Sequence, residues 1–187
     1  MVKSFIVIHH SATPDGVTYK DYDSIKKGHL AKGWRDIGYH WVIEKVNGKL
    51  TAIPGRAESD DGAHCPGKNF DGIGICCVGN FEIEVPTEEL YQFVAAKCRD
   101  IVTRHPIKEI GGHRQYSATA CPGKNFDVNR VKQLVKEGPA ATVTTLDDAL
   151  KVMEAKGVIT SPDYWREVAP TVKYLNALLI NVANKLK

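Results

Sequence analysis

The sequence lacks a long hydrophobic run, a paired set of cysteines and a block of basic residues. No stretch approaches the ~20 apolar residues that a membrane-spanning helix needs, and the apolar run at residues 4–8 is too short for the core of a signal peptide. Five cysteines are an odd number, which favours free thiols in a reducing compartment. We therefore expect no membrane insertion, no disulfide framework and synthesis in the cytoplasm.

The charge is close to balance, which argues against nucleic-acid binding. The 187 residues include 25 Lys and Arg against 22 Asp and Glu, for a formal net charge of +3. A mild positive charge can help a protein approach an anionic polymer, but it is common in proteins without such a partner. Since no cluster of basic residues stands out, we expect no nucleic acid among the partners.

The order of apolar patterns predicts an α/β fold in residues 1–137. Short apolar runs and the turn signal Asn47-Gly48 predict buried strands and one hairpin. The predicted strands are 4–8, 39–46, 49–53 and 73–78. Capping and stop signals predict helices at 21–32, 87–105 and 127–136. We expect a central mixed sheet flanked by helices, with the functional residues at strand ends and in loops.

Residues 138–143 have the small-residue and proline character of a linker, and the pattern beyond them is purely helical. Start and stop signals at Thr145, Gly157 and Ser161-Pro162 predict a small all-helical domain at 144–187. Its last segment carries an apolar stripe formed by Val172, Leu175, Leu179, Val182 and Leu186. The simpler interpretation of this stripe is a core face, and the alternative is a seam for self-association.

Three residues form a pattern that is typical of a zinc site. His9 follows the first predicted strand, and seven residues separate His113 from Cys121. Two histidines and one cysteine leave one tetrahedral position for water, which is the arrangement of a catalytic rather than a purely structural zinc site. The set therefore predicts metal-assisted hydrolysis.

The segments around these residues resemble the type 2 N-acetylmuramoyl-L-alanine amidases, which include phage endolysins, bacterial autolysins and animal peptidoglycan-recognition proteins. The resemblance covers residues 1–137 and rests on six segments in the order typical of that family. They are His-x-Ser-Ala-Thr at 9–13, Gly-Trp-x-Asp-Ile-Gly-Tyr-His at 33–40, Pro-Gly-Arg at 54–56, Gly-Ala-His at 62–64, the apolar run at 73–79 and His-x7-Cys-Pro at 113–122. Each segment is weak alone, but the combination is specific.

The resemblance implies an enzyme that holds Zn²⁺ through His9, His113 and Cys121. Its substrate would be the amide between N-acetylmuramic acid and L-alanine in bacterial peptidoglycan. The resemblance also gives catalytic roles to Tyr39, beside the metal, and to Thr119, at a position that lysine or threonine occupies in relatives. Because a threonine hydroxyl supplies no fixed positive charge, we expect Tyr39 to contribute more to oxyanion stabilisation.

Two further residues are candidates for the substrate groove. The resemblance places His64 in that groove, near the metal. Arg56 is the second candidate, although a structural ion pair explains it equally well. Some bacterial relatives carry a glutamate base on the strand at 73–78, where this chain has Cys76 and Cys77. A carboxylate base is therefore not expected on that strand.

One heptapeptide, Cys-Pro-Gly-Lys-Asn-Phe-Asp, occurs twice, at residues 65–71 and 121–127. The first copy raises the hypothesis that His64 and Cys65 form a second metal pair. Adjacent residues on an extended chain point to opposite sides, which disfavours that hypothesis. The resemblance assigns the ligand role to Cys121.

Two other functions stay open. A non-catalytic peptidoglycan-recognition module would share the fold but typically loses a metal ligand. A thiol hydrolase would use Cys121 as nucleophile and His113 as base.

Because the N-terminal apolar run is too short for a signal peptide, we expect a wall-degrading enzyme to reach the wall by another route. A phage or prophage endolysin, released by a pore-forming partner, fits that requirement. The helical domain is expected to bind the wall or to self-associate.

Overall fold

A five-stranded sheet forms the centre of the N-terminal part of the chain. The computed structural model describes residues 2–14, 21–139, 143–173 and 175–187. The strands are β1 (Phe5–His10), β2 (Trp41–Val46), β3 (Lys49–Pro54), β4 (Gly72–Cys77) and β5 (Glu109–Gly112). Their order across the sheet is β3-β2-β4-β1-β5. The hairpin β2–β3 is antiparallel and the other pairs are parallel, so the prediction of a mixed sheet is confirmed.

Strand β1 lies between two parallel neighbours, β4 and β5. Its side chains from Ile6 to His10 are all buried. The strand was predicted to end at Ile8, but it continues because His9 and His10 pair with Cys76 and Cys77 of β4. His9 therefore lies at the carboxyl end of a central parallel strand, where α/β sheets commonly place their functional groups.

The hairpin between β2 and β3 turns at Asn47 and Gly48, as predicted. Both residues have positive φ angles, 51° and 76°, which is the requirement of the tight turn that matches the twist of two paired strands. Strand β2 begins at Trp41 rather than at the predicted Tyr39. Tyr39 and His40 instead belong to the loop that enters the strand.

Among the described residues of the same unit, three α-helices pack against the sheet: α1 (Asp21–Ala31), α2 (Glu88–Val102) and α3 (Val128–Glu137). Thr87 caps α2 by accepting a hydrogen bond from the Leu90 N–H, and Asp127 caps α3 in the same way through the Asn129 N–H. The apolar faces of α2 and α3 share one core with the strands. Helix α2 ends at Val102, three residues before the predicted end.

Residues 139–187 form a second compact unit, separate from residues 1–138. Its described residues form the α-helices α4 (Leu146–Ala155), α5 (Pro162–Val168) and α6 (Leu175–Lys185), with a short 3-10 helix at Ala169–Thr171. Thr145 caps α4, whereas Ser161 makes no side-chain capping bond to α5. Residues 140–142 of the predicted linker lie outside the described residues. None of the helices in the described ranges combines the length and hydrophobicity that crossing a bilayer requires.

The apolar stripe of the last segment packs inside this second unit. Leu179 is buried, and Leu175, Val182 and Leu186 pack against the same core. That core also contains Leu150 and Met153 of α4, among others. Val172 differs, because it precedes α6 and is 49% exposed. The contacts therefore make most of the stripe a core face.

Candidate metal centre

His9, His113 and Cys121 converge at the carboxyl edge of the parallel strands. Each offers one ligand atom, and the three atoms lie within 4.8 Å of one another. The rings of His9 and His113 have centroids 4.5 Å apart, and Cys121 Sγ lies 3.7 Å from His9 Nδ1. The structure thus brings together the three residues that were predicted as ligands. Their binding of zinc stays a prediction.

The loop at residues 113–122 folds back over β5 and delivers the cysteine. A Cβ atom on Gly112 would lie 2.9 Å from Pro122 Cδ, so only a bare backbone permits this close approach. The Arg114 N–H donates to the Cys121 carbonyl at 2.8 Å, which closes the loop. Strand β5 was not predicted from the sequence, although it positions His113 directly after its last residue.

The electrostatic state of these three side chains fits a divalent cation. Burial lowers the pKa values of His9 and His113, so both rings are neutral and keep a lone pair. His113 Nε2 is buried and has no hydrogen-bond partner. Burial raises the pKa of Cys121 to about 11, although the His10 N–H donates to its sulfur at 3.4 Å. A thiolate at this position needs a nearby positive charge, and two nitrogens with one thiolate are a donor set suited to zinc.

Tyr39 lies beside the three converging residues. Its ring centroid is 5.1 Å from that of His9 and 5.5 Å from that of His29. His29 also accepts a hydrogen bond from the Gly38 N–H at 3.0 Å, which fixes the loop next to Tyr39. Burial next to the Cys76 thiol raises the pKa of Tyr39 well above its usual value. The phenol therefore stays protonated and can donate a hydrogen bond.

Thr119 is an exposed residue of the loop at residues 113–122. Its hydroxyl oxygen accepts a hydrogen bond from the Cys121 N–H at 3.2 Å. That contact helps to hold the turn that carries the cysteine, and it leaves the hydroxyl proton available to a ligand. The catalytic role of Thr119 stays a prediction.

His64 contacts the three converging residues through the ring of His9. Its Nδ1 lies 3.1 Å from Nε2 of His9, on the side of that ring opposite Cys121. Burial lowers the pKa of His64 to about 3. His64 also borders a shallow groove of about 250 Å³, lined by Trp34, Ala63, His64, Cys65, Pro66 and Asn69. The predicted role of His64 in the substrate groove stays a prediction, whereas the contact with His9 was missed by sequence reasoning.

Arg56 lies beneath the surface, not in the open groove. Its Nε donates to the Ile37 carbonyl at 2.7 Å, Nη1 to that of Asp61 at 2.8 Å, and Nη2 to that of Asp36 at 3.4 Å. The guanidinium therefore joins two loops through backbone carbonyls and supports the segment that leads to Tyr39. These contacts are neither a substrate contact nor the ion pair considered from the sequence. A role in substrate binding stays a prediction.

Comparison with known proteins identifies the family. Residues 2–124 match the family model described as N-acetylmuramoyl-L-alanine amidase. Peptidoglycan-recognition protein SC2 of Drosophila melanogaster is 34% identical over 133 residues, which cover 66% of this chain and 70% of that protein. The endolysin of Escherichia phage T7 is 28% identical over 130 residues, which cover 67% of this chain and 82% of the endolysin.

A solved structure agrees with these sequence matches. N-acetylmuramoyl-L-alanine amidase LysC from Clostridium intestinale URNW superimposes with a TM-score of 0.62 and 30% identity, covering 72% of this chain and 85% of that one. The matched region contains the whole sheet and the three converging residues. The chain therefore belongs to the N-acetylmuramoyl-L-alanine amidase family, as its motifs predict.

Proposed function

We propose that this chain is a zinc-dependent N-acetylmuramoyl-L-alanine amidase. It hydrolyses the amide between N-acetylmuramic acid and L-alanine in peptidoglycan. One observation carries the proposal: His9, His113 and Cys121 place their ligand atoms within 4.8 Å of one another. Membership of the amidase family supports the type of reaction, and the two-nitrogen, one-sulfur donor set supports zinc as the ion.

The protein contributes to the reaction through groups already in position. Zinc held by the three ligands supplies polarisation of the scissile carbonyl and activation of water. The protonated Tyr39 phenol donates a hydrogen bond to the carbonyl oxygen as that oxygen gains negative charge. A tyrosine phenol is protonated throughout the neutral range, so it remains a donor there. A single donor of this kind typically contributes about 10²- to 10³-fold in rate.

The thiol-hydrolase alternative is disfavoured by the environment of Cys121. A nucleophilic cysteine reacts as the thiolate, and such cysteines have lowered pKa values. Burial instead raises the pKa of Cys121 to about 11. That alternative also gives no role to His9, whose Nδ1 lies 3.7 Å from the sulfur.

The recognition-module alternative is disfavoured by the complete donor set. Relatives named as peptidoglycan-recognition proteins support the polymer as the ligand. A module that only binds the polymer has no need to retain all three donors next to the phenol of Tyr39. The similarity to the T7 endolysin supports the further proposal that the chain is a phage or prophage endolysin, made in the cytoplasm and released to the wall.

A digest of purified cell walls tests the proposed reaction. The full-length protein should bind about one zinc ion and release peptides that begin with L-alanine, as measured by metal analysis and product mass spectrometry. The His113→Ala variant, which lacks one donor, should lose zinc and activity together. Cleavage of a glycosidic bond, or of a peptide bond within the stem, would contradict the assignment.

We propose that the helical unit holds the enzyme on the wall. Tethering raises the local concentration of the enzyme and makes later encounters intramolecular. The burial of Leu179 and the partial burial of its neighbours in the stripe argue against the self-association alternative. A fragment ending at Gly138 should cleave a soluble muropeptide normally but bind and lyse intact walls less well. Equal wall binding, with only the full chain sedimenting as an oligomer, would instead establish the assembly role.

A further inference from the structure

We propose that His64 is a positioning residue that fixes which ring nitrogen of His9 carries the hydrogen. Its Nδ1 accepts the hydrogen on Nε2 of His9, which leaves Nδ1 of His9 unprotonated on the side of Cys121. The proposal rests on the proposed function in one respect, namely that the bound ion is zinc. The role differs from the substrate contact predicted for His64 from the sequence.

The geometry between the two rings carries the first step. Nε2 of His9 and Nδ1 of His64 are 3.1 Å apart, and both residues are buried. Only one of these two nitrogens can carry the hydrogen that joins them. Nδ1 of His9 faces Cys121 Sγ at 3.7 Å, so it is the nitrogen available to the ion. A ligand on Nδ1 requires the hydrogen on Nε2, and His64 then accepts it.

The slot around His64 carries the second step. A Cβ on Gly62 would lie 2.7 Å from His64 Nε2, and one on Gly74 would lie 2.5 Å from His64 Cδ2. The imidazole therefore occupies the space that side chains would otherwise fill at both positions. Gly74 is inside β4, where glycine weakens a strand and marks a close approach. Two glycines, which lack side chains, thus make room for this ring.

The backbone of His64 is held in place by Asn69. The Oδ1 atom of Asn69 accepts hydrogen bonds from the N–H groups of His64 at 2.8 Å and Cys65 at 2.9 Å. The Asn69 carbonyl also accepts the Gly62 N–H at 2.9 Å. These hydrogen bonds therefore close the loop on both sides of His64. They fix the backbone from which the ring projects, while Gly62 and Gly74 leave the space that the ring fills.

A neutral acceptor has a consequence for the charge of the centre. Carboxylates and backbone carbonyls are the usual partners of metal-binding histidines. With Zn²⁺, one thiolate and two neutral imidazoles, the centre has a net charge of +1, and a neutral His64 leaves that charge unchanged. A carboxylate at the same position would cancel it. The imidazole therefore orients His9 while preserving the positive charge that a developing oxyanion needs.

The first test measures the tautomers directly in the metal-free, full-length protein. Long-range ¹⁵N–¹H correlation spectra of the histidine rings report which nitrogen is protonated. We expect His9 to carry its hydrogen on Nε2 and His64 to have an unprotonated Nδ1. A hydrogen on Nδ1 of His9 would overturn the proposal. This measurement needs neither zinc nor activity, so it still decides the role of His64 if the proposed function fails.

The second test measures zinc affinity in three variants. His64→Leu removes the acceptor and should raise the Kd for zinc about 10- to 100-fold, as for other lost partners of metal-binding histidines. His64→Asn keeps an oxygen near the Nδ1 position and should restore most of the affinity. His40→Asn is the control for a neighbouring histidine, because the His40 ring packs 5.5 Å from that of His64 but bonds the Gly74 N–H and the Asp60 carbonyl instead of His9.

The outcomes separate positioning from substrate contact. Weaker zinc binding in His64→Leu, rescue in His64→Asn and normal affinity in His40→Asn would support the proposal. Wild-type zinc affinity in His64→Leu, with only a raised KM, would overturn it in favour of a substrate contact. If His64→Leu does not fold, the His64→Asn affinity and the wild-type tautomer spectrum still give a decision.

Discussion

The two copies of the heptapeptide Cys-Pro-Gly-Lys-Asn-Phe-Asp have identical sequences and different structures. In the copy at residues 65–71, the Phe70 side chain is 56% exposed. In the copy at residues 121–127, Phe126 is 1% exposed and packs in the main core. Since the local preferences of the two copies are the same, contacts from elsewhere in the chain decide the difference, as tertiary context commonly overrides local propensity.

The asparagines show how those contacts act. Asn69 uses its side-chain oxygen to accept from the N–H groups of residues 64–65. Asn125 uses its side-chain nitrogen to donate to the carbonyls of residues 83–84. One copy closes a loop on itself, whereas the other binds a distant segment. Only the second copy places its cysteine beside His9, so the same residue types serve as scaffold once and as candidate ligand once.

The largest expected effect separates the two cysteines. Cys121→Ser should lose zinc and at least about 10³-fold in activity, because the metal supplies several kcal/mol of transition-state stabilisation. Cys65→Ser should keep both, at a cost of about 1–3 kcal/mol in stability from burying a hydroxyl. Metal analysis and amidase assays of the two variants give the comparison. Normal turnover by metal-free Cys121→Ser protein would contradict both the zinc mechanism and the thiol nucleophile.

The phenylalanines should differ in their effect on folding. Phe126→Ala removes a ring that packs 5.4 Å from Phe81 and 5.2 Å from Tyr91, so it should lower the free energy of unfolding by about 3–5 kcal/mol. Phe70→Ala should change it by less than about 0.5 kcal/mol, as for most exposed positions. Denaturant titrations of both variants provide the measurement. Similar losses at the two positions would mean that the first copy is also packed.

Tyr39 tests the chemistry around the second copy. Tyr39→Phe should retain zinc and lose on the order of 10²-fold in rate, because it removes one hydrogen-bond donor to the oxyanion. Zinc content and kcat for a soluble muropeptide should be measured on the same preparation. An unchanged rate with zinc retained would move the donor role elsewhere, and Thr119 would be the next position to test.

The smallest expected effect comes from one substitution made at both asparagines. Asn69→Asp keeps an oxygen that accepts both N–H groups, so stability should change by less than about 0.5 kcal/mol. Asn125→Asp replaces a donor by an acceptor that faces two carbonyls, and it should cost about 1–3 kcal/mol. Unfolding free energies at pH 7 give both values. Equal costs would show that the two side chains are used in the same way.

Local signals were sufficient for much of the fold. The hairpin was predicted because the turn needs two residues with positive φ angles, and Asn47-Gly48 readily adopts them. The caps at Thr87 and Asp127 likewise act within three residues. Strand β5 was missed because it has four residues, two of them glycines, and no readable alternation. Its position is set by pairing with β1, which no local pattern reveals.

The site was predictable only in part for the same reason. The spacing and neighbours of His9, His113 and Cys121 predicted a common centre, and the structure brings them together. The contact of His9 with His64 joins residues 55 positions apart and has no local signal. The partners of Arg56 are backbone carbonyls, whose direction depends on folded loops. Side-chain identity therefore indicated which residues matter but not what each one touches.

The central position of β1 also determines when the centre can form during synthesis. Phe5 pairs with Gly72 and with Glu109, so the first strand leaves the ribosome long before either neighbour exists. His9 and Cys121 are 112 positions apart, which corresponds to roughly ten seconds of translation. Until residues 72–77 and 109–112 have also been made, the apolar strand lacks its parallel partners and depends on protection from aggregation. A chain terminated before residue 121 has at most two of the three donors, so any premature product is unable to assemble the complete centre.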